Sequence, residues 1–234
     1  MSLRTLCFVT VGICGLIIKS PTVNSAVDTV VTAIRNIPDQ SRVSLKIEAI
    51  LKSHGVTIHS GKSIVILRGY NISGNPLPEG NQYYPPKWND AIFVVQPSVD
   101  GKVHVIFSAV GTADPNTAIE PHPDHKKFGG WARIKSGWYP DNWVSDGSLI
   151  LQAKAIEVEV IDQHGNPSRS MFWDNGTPEE PGSFIGHPPM VFNTPPDVGE
   201  AVSSQGCIVL KRTGDWARLM DLLGENKVVP IGIW

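Results

Sequence analysis

The stretch AIFVVQPSVDGKVHVIFSA, residues 91–109, decides the fold class. Its two apolar runs, 91–96 and 103–109, flank the dipeptide Asp100-Gly101, which is a strong β-hairpin turn sequence. In the second run apolar side chains recur at every other position, which is the period of a strand. The stretch therefore predicts a β-hairpin and a β-rich domain around it.

Further strands are predicted on both sides of this hairpin. Residues 64–67 form a short apolar run that indicates a buried strand, and residues 149–161 alternate between apolar and polar side chains up to a turn at His164-Gly165-Asn166. We interpret this alternation as one strand with a buried and a solvated face. The buried face holds Ile156, Val158 and Val160, and the solvated face holds Glu157 and Glu159.

Helix signals occur before and after the predicted strands. Within residues 28–54, Asp28 can cap a helix over 30–34 that Pro38 ends, and a second apolar stripe follows and stops at Gly55. That second stripe consists of Leu45, Ile47, Ile50 and Leu51.

A later helix is predicted between Asp215, which suits a first turn, and Gly224, which suits a C-terminal stop. Its apolar residues recur at helical spacing and are expected to pack in the core. They are Trp216, Leu219, Met220 and Leu223.

The composition excludes several classes of protein. The 234 residues include 20 Lys and Arg against 22 Asp and Glu, so there is no basic surplus for nucleic-acid binding. Seven Trp and a net charge of -2 do not fit a disordered chain. Three cysteines cannot support a disulfide-dense scaffold, and their odd number leaves one thiol over.

The first residues have the pattern of a secretory signal. Arg4 precedes the apolar run 6–18, and small residues follow at 23–26, so we expect cleavage near Ser25 or Ala26. The run is shorter than the roughly 20 residues of a membrane span, although a retained N-terminal anchor is the alternative. The prediction is an exported protein of the periplasm or cell envelope, with no stable membrane span after signal removal.

The predicted organisation has three parts: a signal peptide at 1–26, a helical N-terminal region at 27–60, and a β-rich domain at 61–234. Removal of the signal would take Cys7 and Cys14 with it. Cys207 would then be the single cysteine of the mature chain.

Cys207 is the main candidate for chemistry. It follows Gly206, which permits a tight turn, and it precedes an apolar strand. A reactive thiol needs a partner that lowers its pKa, and His187 is the nearest histidine in sequence. From these residues alone, an inert buried cysteine and a nucleophile are both open.

The motif Ser204-x-Gly206-Cys207, followed by apolar residues, resembles the signature of the L,D-transpeptidase catalytic domain family. The likeness is closest to a phage- and bacteria-associated branch, and it extends over about residues 64–223. Its further pieces are Arg68-Gly69-Tyr70, Trp88-Asn89-Asp90, Gly111-Thr112, Asp114-Pro115, Gly130 to Tyr139, Leu151-Gln152-Ala153 and Asp215-Trp216.

This resemblance implies a mainly β fold, a sandwich or barrel with a few helices, that acts on peptidoglycan stem peptides. It implies that the Cys207 thiolate attacks an L,D peptide bond, that His187 transfers the proton, and that amides around Gly206 and Cys207 hold the oxyanion. Ser204 would shape the loop. An amine acceptor would give transpeptidation and water would give carboxypeptidase activity, with no metal and no cofactor.

The sequence departs from the family pattern at two points. A histidine ends an apolar strand before the motif in that branch, whereas this chain has Asn193 there and His187 six residues earlier. Either His187 is the base, or the base is lost and the protein is an inactive cell-wall-binding or structural relative. The basic residue expected right after the motif is replaced by Val209, so Lys211 and Arg212, together with Asn193, are the candidate substrate-binding residues.

Two other interpretations have less support. His122 and His125 have a weak metal-ligand spacing, and we favour a solvated loop and no metal site. Several aromatic residues could line a carbohydrate groove, although we favour packing roles for them. They are Tyr83, Tyr84, Trp131, Trp138 and Trp143.

Overall fold

The structure, a computed structural model, describes residues 40–80, 87–118, 120–121, 129–174, 185–187, 204 and 206–234. All of them fall within one compact unit, Pro38–Trp234. Several predicted features lie outside the described residues: the signal at 1–26, the helix at 30–34, Tyr83, Tyr84, His122, His125 and Asn193.

In the described part of the chain the fold is mainly β with two helices, as the sequence predicts. The helices are α1 (Gln40–Ser53) and α2 (Thr213–Leu223). The strands are β1 (Ser63–Leu67), β2 (Asp90–Pro97), β3 (Val103–Thr112), β4 (Trp131–Ile134), β5 (Gly137–Tyr139), β6 (Trp143–Asp146), β7 (Ile150–Gln152), β8 (Ile156–Ile161), β9 (Pro167–Trp173), β10 (Ile185–His187), β11 (Ile208–Leu210), β12 (Glu225–Val228) and β13 (Ile231–Ile233).

The predicted hairpin is confirmed as β2 and β3. The two strands pair antiparallel from Asp90 opposite Gly111 to Pro97 opposite Val103. Gly101 lies in the turn with φ 76°, a left-handed conformation that glycine adopts without a steric cost.

Ten of the strands form one sheet, in the order β12-β6-β7-β10-β11-β3-β2-β1-β13-β5. Most neighbours are antiparallel, but β10 pairs parallel with β11, and β1 pairs parallel with β13. The remaining three strands form a second sheet in the order β4-β8-β9.

The central strands β1 and β2 bury both of their faces. Because side chains alternate along a strand, neighbouring residues enter two different apolar clusters. Ile64 and Ile66 join the cluster that also holds residues of the second sheet and of α2, whereas Val65 and Leu67 join the cluster that contains α1. The large sheet therefore lies between two cores.

Helix α1 packs on the second of these clusters through Val43, Ile47 and Leu51, spaced at i, i+4 and i+8. The predicted stripe included Leu45, but this side chain is 64% exposed because it falls on the opposite side of the helix. The Ser44 hydroxyl accepts a hydrogen bond from the Val105 amide at 3.0 Å, which ties α1 to β3.

The stretch 149–161 forms two strands, β7 and β8, and not the single strand that the alternation predicts. The chain leaves the large sheet at Ala153, whose amide donates to the Asn142 carbonyl at 2.8 Å. It then enters the second sheet. The side-chain amide of Gln152, on β7, connects the two sheets by donating to the carbonyl of Trp173 on β9 at 3.1 Å. Periodicity alone does not show a change of sheet, because both strands keep the same alternation.

The alternation itself is confirmed within β8. Ile156, Val158 and Val160 are buried. The predicted solvated face is only partly exposed, because Glu157 pairs with Lys135 and Glu159 pairs with Arg133. The predicted later helix is confirmed as α2, with its apolar stripe buried and Gly224 at its end with φ 71°. Among the described residues, neither helix is long and apolar enough to cross a membrane.

Candidate functional site

The sheet topology brings four chain segments to one edge. Antiparallel strands begin where their neighbours end, so the end of β1, the start of β2, the end of β3 and the start of β11 lie together. This edge carries Arg68, Asp90, Asp114 and Cys207. We call it the cysteine edge.

The turn before Cys207 is held by the side chain of Ser204, which is 1% exposed. Its Oγ accepts a hydrogen bond from the Gly206 amide at 3.0 Å and donates one to the Cys207 carbonyl at 2.9 Å. Because the hydroxyl hydrogen is engaged with a backbone carbonyl, Ser204 shapes the turn, which is the role that the resemblance implies for it.

Gly206 has φ 114°, a conformation that residues with a Cβ adopt only at a steric cost. The turn that it permits places Cys207, whose side chain is partly exposed, directly before the fully buried strand β11. The Gly206 amide is bonded to Ser204, so in this arrangement it stabilises the turn and does not point to an oxyanion.

His187 lies on β10, the strand next to β11. Its backbone is level with Val209, two residues further along the strand than Cys207. Standard strand spacings then give about 8 Å between the Cα atoms of His187 and Cys207. The preceding Gly186 is closely packed, since a Cβ there would lie 3.0 Å from Ile150 Cβ, which is tighter than most such contacts.

Two other predicted site residues are described by the structure, and neither lies at the cysteine edge. Lys211 and Arg212 are exposed and follow the far end of β11, and Lys211 lies about 13 Å along the strand direction from Cys207. Arg212 precedes the first residue of α2. Asn193 lies outside the described residues.

An ion-pair network adjoins the cysteine edge. Arg68 Nε lies 2.9 Å from Asp114 Oδ1, and both residues are at least 91% buried. Arg133 reaches the same carboxylate at 4.0 Å and pairs with Glu159 at 2.7 Å. In the sequence, Arg68, Asp114 and Arg133 occur in the stretches that carry the family resemblance, and no separate role was predicted for them. Arg68 and Asp114 stand just beyond the ends of apolar strands, and this position could have indicated that the two residues meet.

Asp90 is the most deeply buried carboxyl group at this edge, with 1% of its surface exposed. Oδ1 accepts the Gly69 amide at 3.2 Å and Oδ2 accepts the Ala113 amide at 2.9 Å. Burial, and after it the nearby Asp114 charge, raises the pKa of Asp90 to about 7. The two amides and Arg68 act in the opposite direction.

The loop after β3 is bonded directly to the cysteine motif. The amide of Asn116, a residue with no exposed surface, donates to the Ser204 carbonyl at 2.7 Å. Within the loop, Asn116 Oδ1 accepts the Ala118 amide at 2.9 Å, and Thr112 Oγ1 accepts the Asp114 amide at 3.1 Å. The position of the motif therefore depends on the conformation of this loop.

Two of the described aromatic residues have packing roles, and two cavities lie away from the cysteine edge. Trp143 is fully buried in the core, and Trp138 packs against the α1 cluster. One cavity of about 360 Å³ adjoins Lys62 and Pro230, and one of about 290 Å³ lies between α1 and β3. Neither is lined by residues of the cysteine edge. Over the described ranges, no three His, Cys, Asp or Glu side chains are grouped so as to hold a metal ion.

The geometry thus combines a partly exposed thiol, a rigid hydrogen-bonded turn and a buried charge network at one edge of a sheet. Such an arrangement suits a nucleophilic cysteine, because the backbone around Cys207 is fixed while the residue is not fully buried. Comparisons of the chain with protein-family models, curated proteins and solved structures found no match to any of them.

Proposed function

We propose that the protein is a cysteine-dependent acyltransferase or peptidase that acts on L,D peptide bonds in peptidoglycan stem peptides. The observation that carries this proposal is the placement of Cys207: a partly exposed thiol between a positive-φ glycine and a fully buried strand. A protein with this substrate would be exported to the cell envelope, and we include this location in the proposal.

The surroundings of Cys207 favour a chemical role over a packing role. Cysteines kept only for packing are among the most buried side chains of a protein. Here the three residues of β11 are fully buried, whereas Cys207 directly before them is not. Cys207 therefore keeps part of its surface exposed while its backbone is held by Ser204.

The reaction would proceed through a thioester. His187 accepts the proton of the Cys207 thiol, the thiolate attacks the carbonyl carbon, and a tetrahedral intermediate forms. The C–N bond then breaks, and the leaving amine takes the proton from His187. A second amine, or water, attacks the thioester, a new amide or a carboxylate forms, and the thiol is regenerated.

The substrate class is supported by the motif and not by a pocket. The Ser204-x-Gly206-Cys207 resemblance points to stem peptides. The structure supports the parts of the motif that concern shape, since Ser204 and Gly206 build the turn.

An inactive cell-wall-binding relative is the second candidate, and the strand register favours it. His187 is level with Val209 and not with Cys207, so a direct bond between imidazole and thiol requires the side chains to bridge the two-residue offset. In this alternative the turn would be kept for its shape alone.

The proposal is tested with a synthetic stem peptide that contains one L,D bond. We expect the purified protein to release the terminal D-amino acid or to exchange it for an added amine, and intact-mass spectrometry to detect an acyl adduct on Cys207. Cys207→Ala should abolish both signals, and His187→Ala should slow the reaction by about 10²- to 10⁴-fold.

His164→Ala is the matched control, because His164 lies in an exposed turn of the second sheet, and it should react like the wild type. Turnover by Cys207→Ala would overturn the cysteine mechanism. If there is no turnover and Cys207 alkylates like an ordinary thiol with a pKa of about 8.5, the inactive relative is the correct interpretation.

A further inference from the structure

We propose that Asp90 is a positioning residue for Cys207: its carboxylate holds the loop after β3, this loop holds the Ser204 turn, and the reactivity of the thiol therefore depends on the ionisation of Asp90. The inference rests on the proposed function only in taking Cys207 as the nucleophile. The hydrogen bonds that carry it exist whatever the substrate is.

The first step is the clamp made by the Asp90 carboxylate. Each of its oxygens accepts one backbone amide, Gly69 after β1 and Ala113 after β3. Only the ionised form offers two acceptor oxygens without a hydrogen. In a protonated Asp90 one oxygen carries the hydrogen and is a weaker acceptor, so the hydrogen bond from one of the two amides is weakened.

The second step is the loop that begins at Ala113. Asp114 follows immediately, with its amide bonded to Thr112 Oγ1 and its carboxylate paired with Arg68. Two residues later, the Asn116 amide donates to the Ser204 carbonyl at 2.7 Å. Movement of the Ala113 amide is therefore transmitted over three residues to the cysteine motif.

The third step is Ser204 itself. Its carbonyl is held by Asn116, and its hydroxyl holds both the Gly206 amide and the Cys207 carbonyl. Hydrogen bonds and the backbone of residues 113–116 thus link the Asp90 carboxylate to the backbone of Cys207. The bonds from Ala113 to Asp90, from Asn116 to Ser204 and within the Ser204 turn are all 3.0 Å or shorter. The bond from the Asp114 amide to Thr112 Oγ1, inside the loop, is 3.1 Å.

The charges around Asp90 place its ionisation in the neutral range. Arg68 and Asp114 face it from the segments after β1 and β3, and behind them Arg133 and Glu159 pair across β4 and β8. Burial and the Asp114 charge raise the pKa of Asp90 to about 7. Above this pH the carboxylate binds both amides, and below it the hydrogen bond from one of them is weakened.

The decisive experiment measures alkylation of Cys207 by iodoacetamide between pH 5.5 and 9, followed at the Cys207 peptide by mass spectrometry in the full chain. In the wild type we expect an inflection near pH 7 that is separate from the ionisation of the thiol. Asp90→Asn mimics the neutral carboxyl, because an amide has one acceptor and one donor end. It should remove that inflection and change the thiolate rate constant at least threefold.

Asp100→Asn is the matched control. Asp100 lies in the turn at the opposite end of the same β2–β3 hairpin, with its side chain exposed. Its alkylation profile should superimpose on that of the wild type. If the Asp90→Asn profile also superimposes on the wild type, Asp90 does not position Cys207 and the inference is overturned.

A second measurement needs only the wild-type protein. The amide proton shifts of Gly69 and Ala113 should titrate together in NMR spectra with a midpoint near 7, and those of Gly206 and Cys207 should follow with the same midpoint. Motif amides that stay unchanged through this titration would overturn the link. Failure of the proposed function differs from this, because stem-peptide turnover would be absent while the coupled titration is still observed.

Discussion

At the scale of single residues, Ser204 shows how one short side chain determines the local geometry. Its hydroxyl is both donor and acceptor, and one buried oxygen therefore satisfies two backbone groups of the turn. The sequence motif predicted a loop-shaping role for this residue. The backbone carbonyl of Ser204 accepts the Asn116 amide. Asn116 is almost 90 residues away in sequence, so the motif could not predict this contact.

Replacing Ser204 by Ala should lower the free energy of unfolding by about 1–3 kcal/mol, because the buried Gly206 amide would lose its acceptor. The change is measured by urea denaturation. Ser53→Ala, at an exposed hydroxyl at the end of α1, is the control and should change stability by less than about 0.5 kcal/mol. Equal effects of the two substitutions would contradict the role of Ser204.

At the scale of secondary-structure elements, the position of Cys207 depends on how closely β11 approaches its neighbours. Strand β11 lies between β10 and β3, and it contacts β3 at Gly111 and Thr112. A Cβ at position 111 would lie 2.4 Å from the Val209 carbonyl oxygen and 2.5 Å from Ile92 Cδ1. Only glycine permits this approach, since the nearest atom belongs to the backbone of the cysteine strand.

Gly111→Ala should therefore destabilise the protein by about 1–3 kcal/mol through overpacking, and it should displace β11. Thermal or urea unfolding measures the first effect, and the alkylation rate of Cys207 reports the second. Gly214→Ala is the matched control: no atom lies within 4 Å of the added Cβ, and the position is in α2. Its stability should stay equal or rise slightly, and a similar loss in both variants would exclude the close approach as the cause.

At the scale of the whole molecule, the buried charge of Asp90 makes stability depend on pH. Its pKa is raised from 3.8 to about 7 in the folded state, so folding favours the protonated form. This contribution to the free energy of unfolding is fully present below about pH 4 and is lost as the pH rises through 7. Protonation relieves the cost of the buried charge even though it weakens one amide hydrogen bond.

The melting temperature of the wild type minus that of Asp90→Asn should therefore fall as the pH rises from 4.5 to 8. Differential scanning calorimetry over this range measures it. The pKa of Asp100 is lowered, first by the Ser98 hydroxyl and then by Lys102, so its contribution is lost only at acidic pH, below the usual range of a carboxyl. For Asp100→Asn the difference in melting temperature from the wild type should be constant from pH 4.5 to 8. A constant difference for Asp90→Asn would contradict the raised pKa of Asp90.

The sequence by itself determined the local elements: the 91–109 hairpin, the strand at 64–67, the helix that ends at Gly224 and the turn around Gly206. These follow from periodicity and from turn residues, which act over a few neighbouring positions. The tertiary structure decided which elements meet. It divided 149–161 between two sheets, set His187 level with Val209, and joined Asp90 to Cys207 through Asn116. Strand order and hydrogen bonds between distant segments depend on packing of the whole chain, and local periodicity contains no record of them.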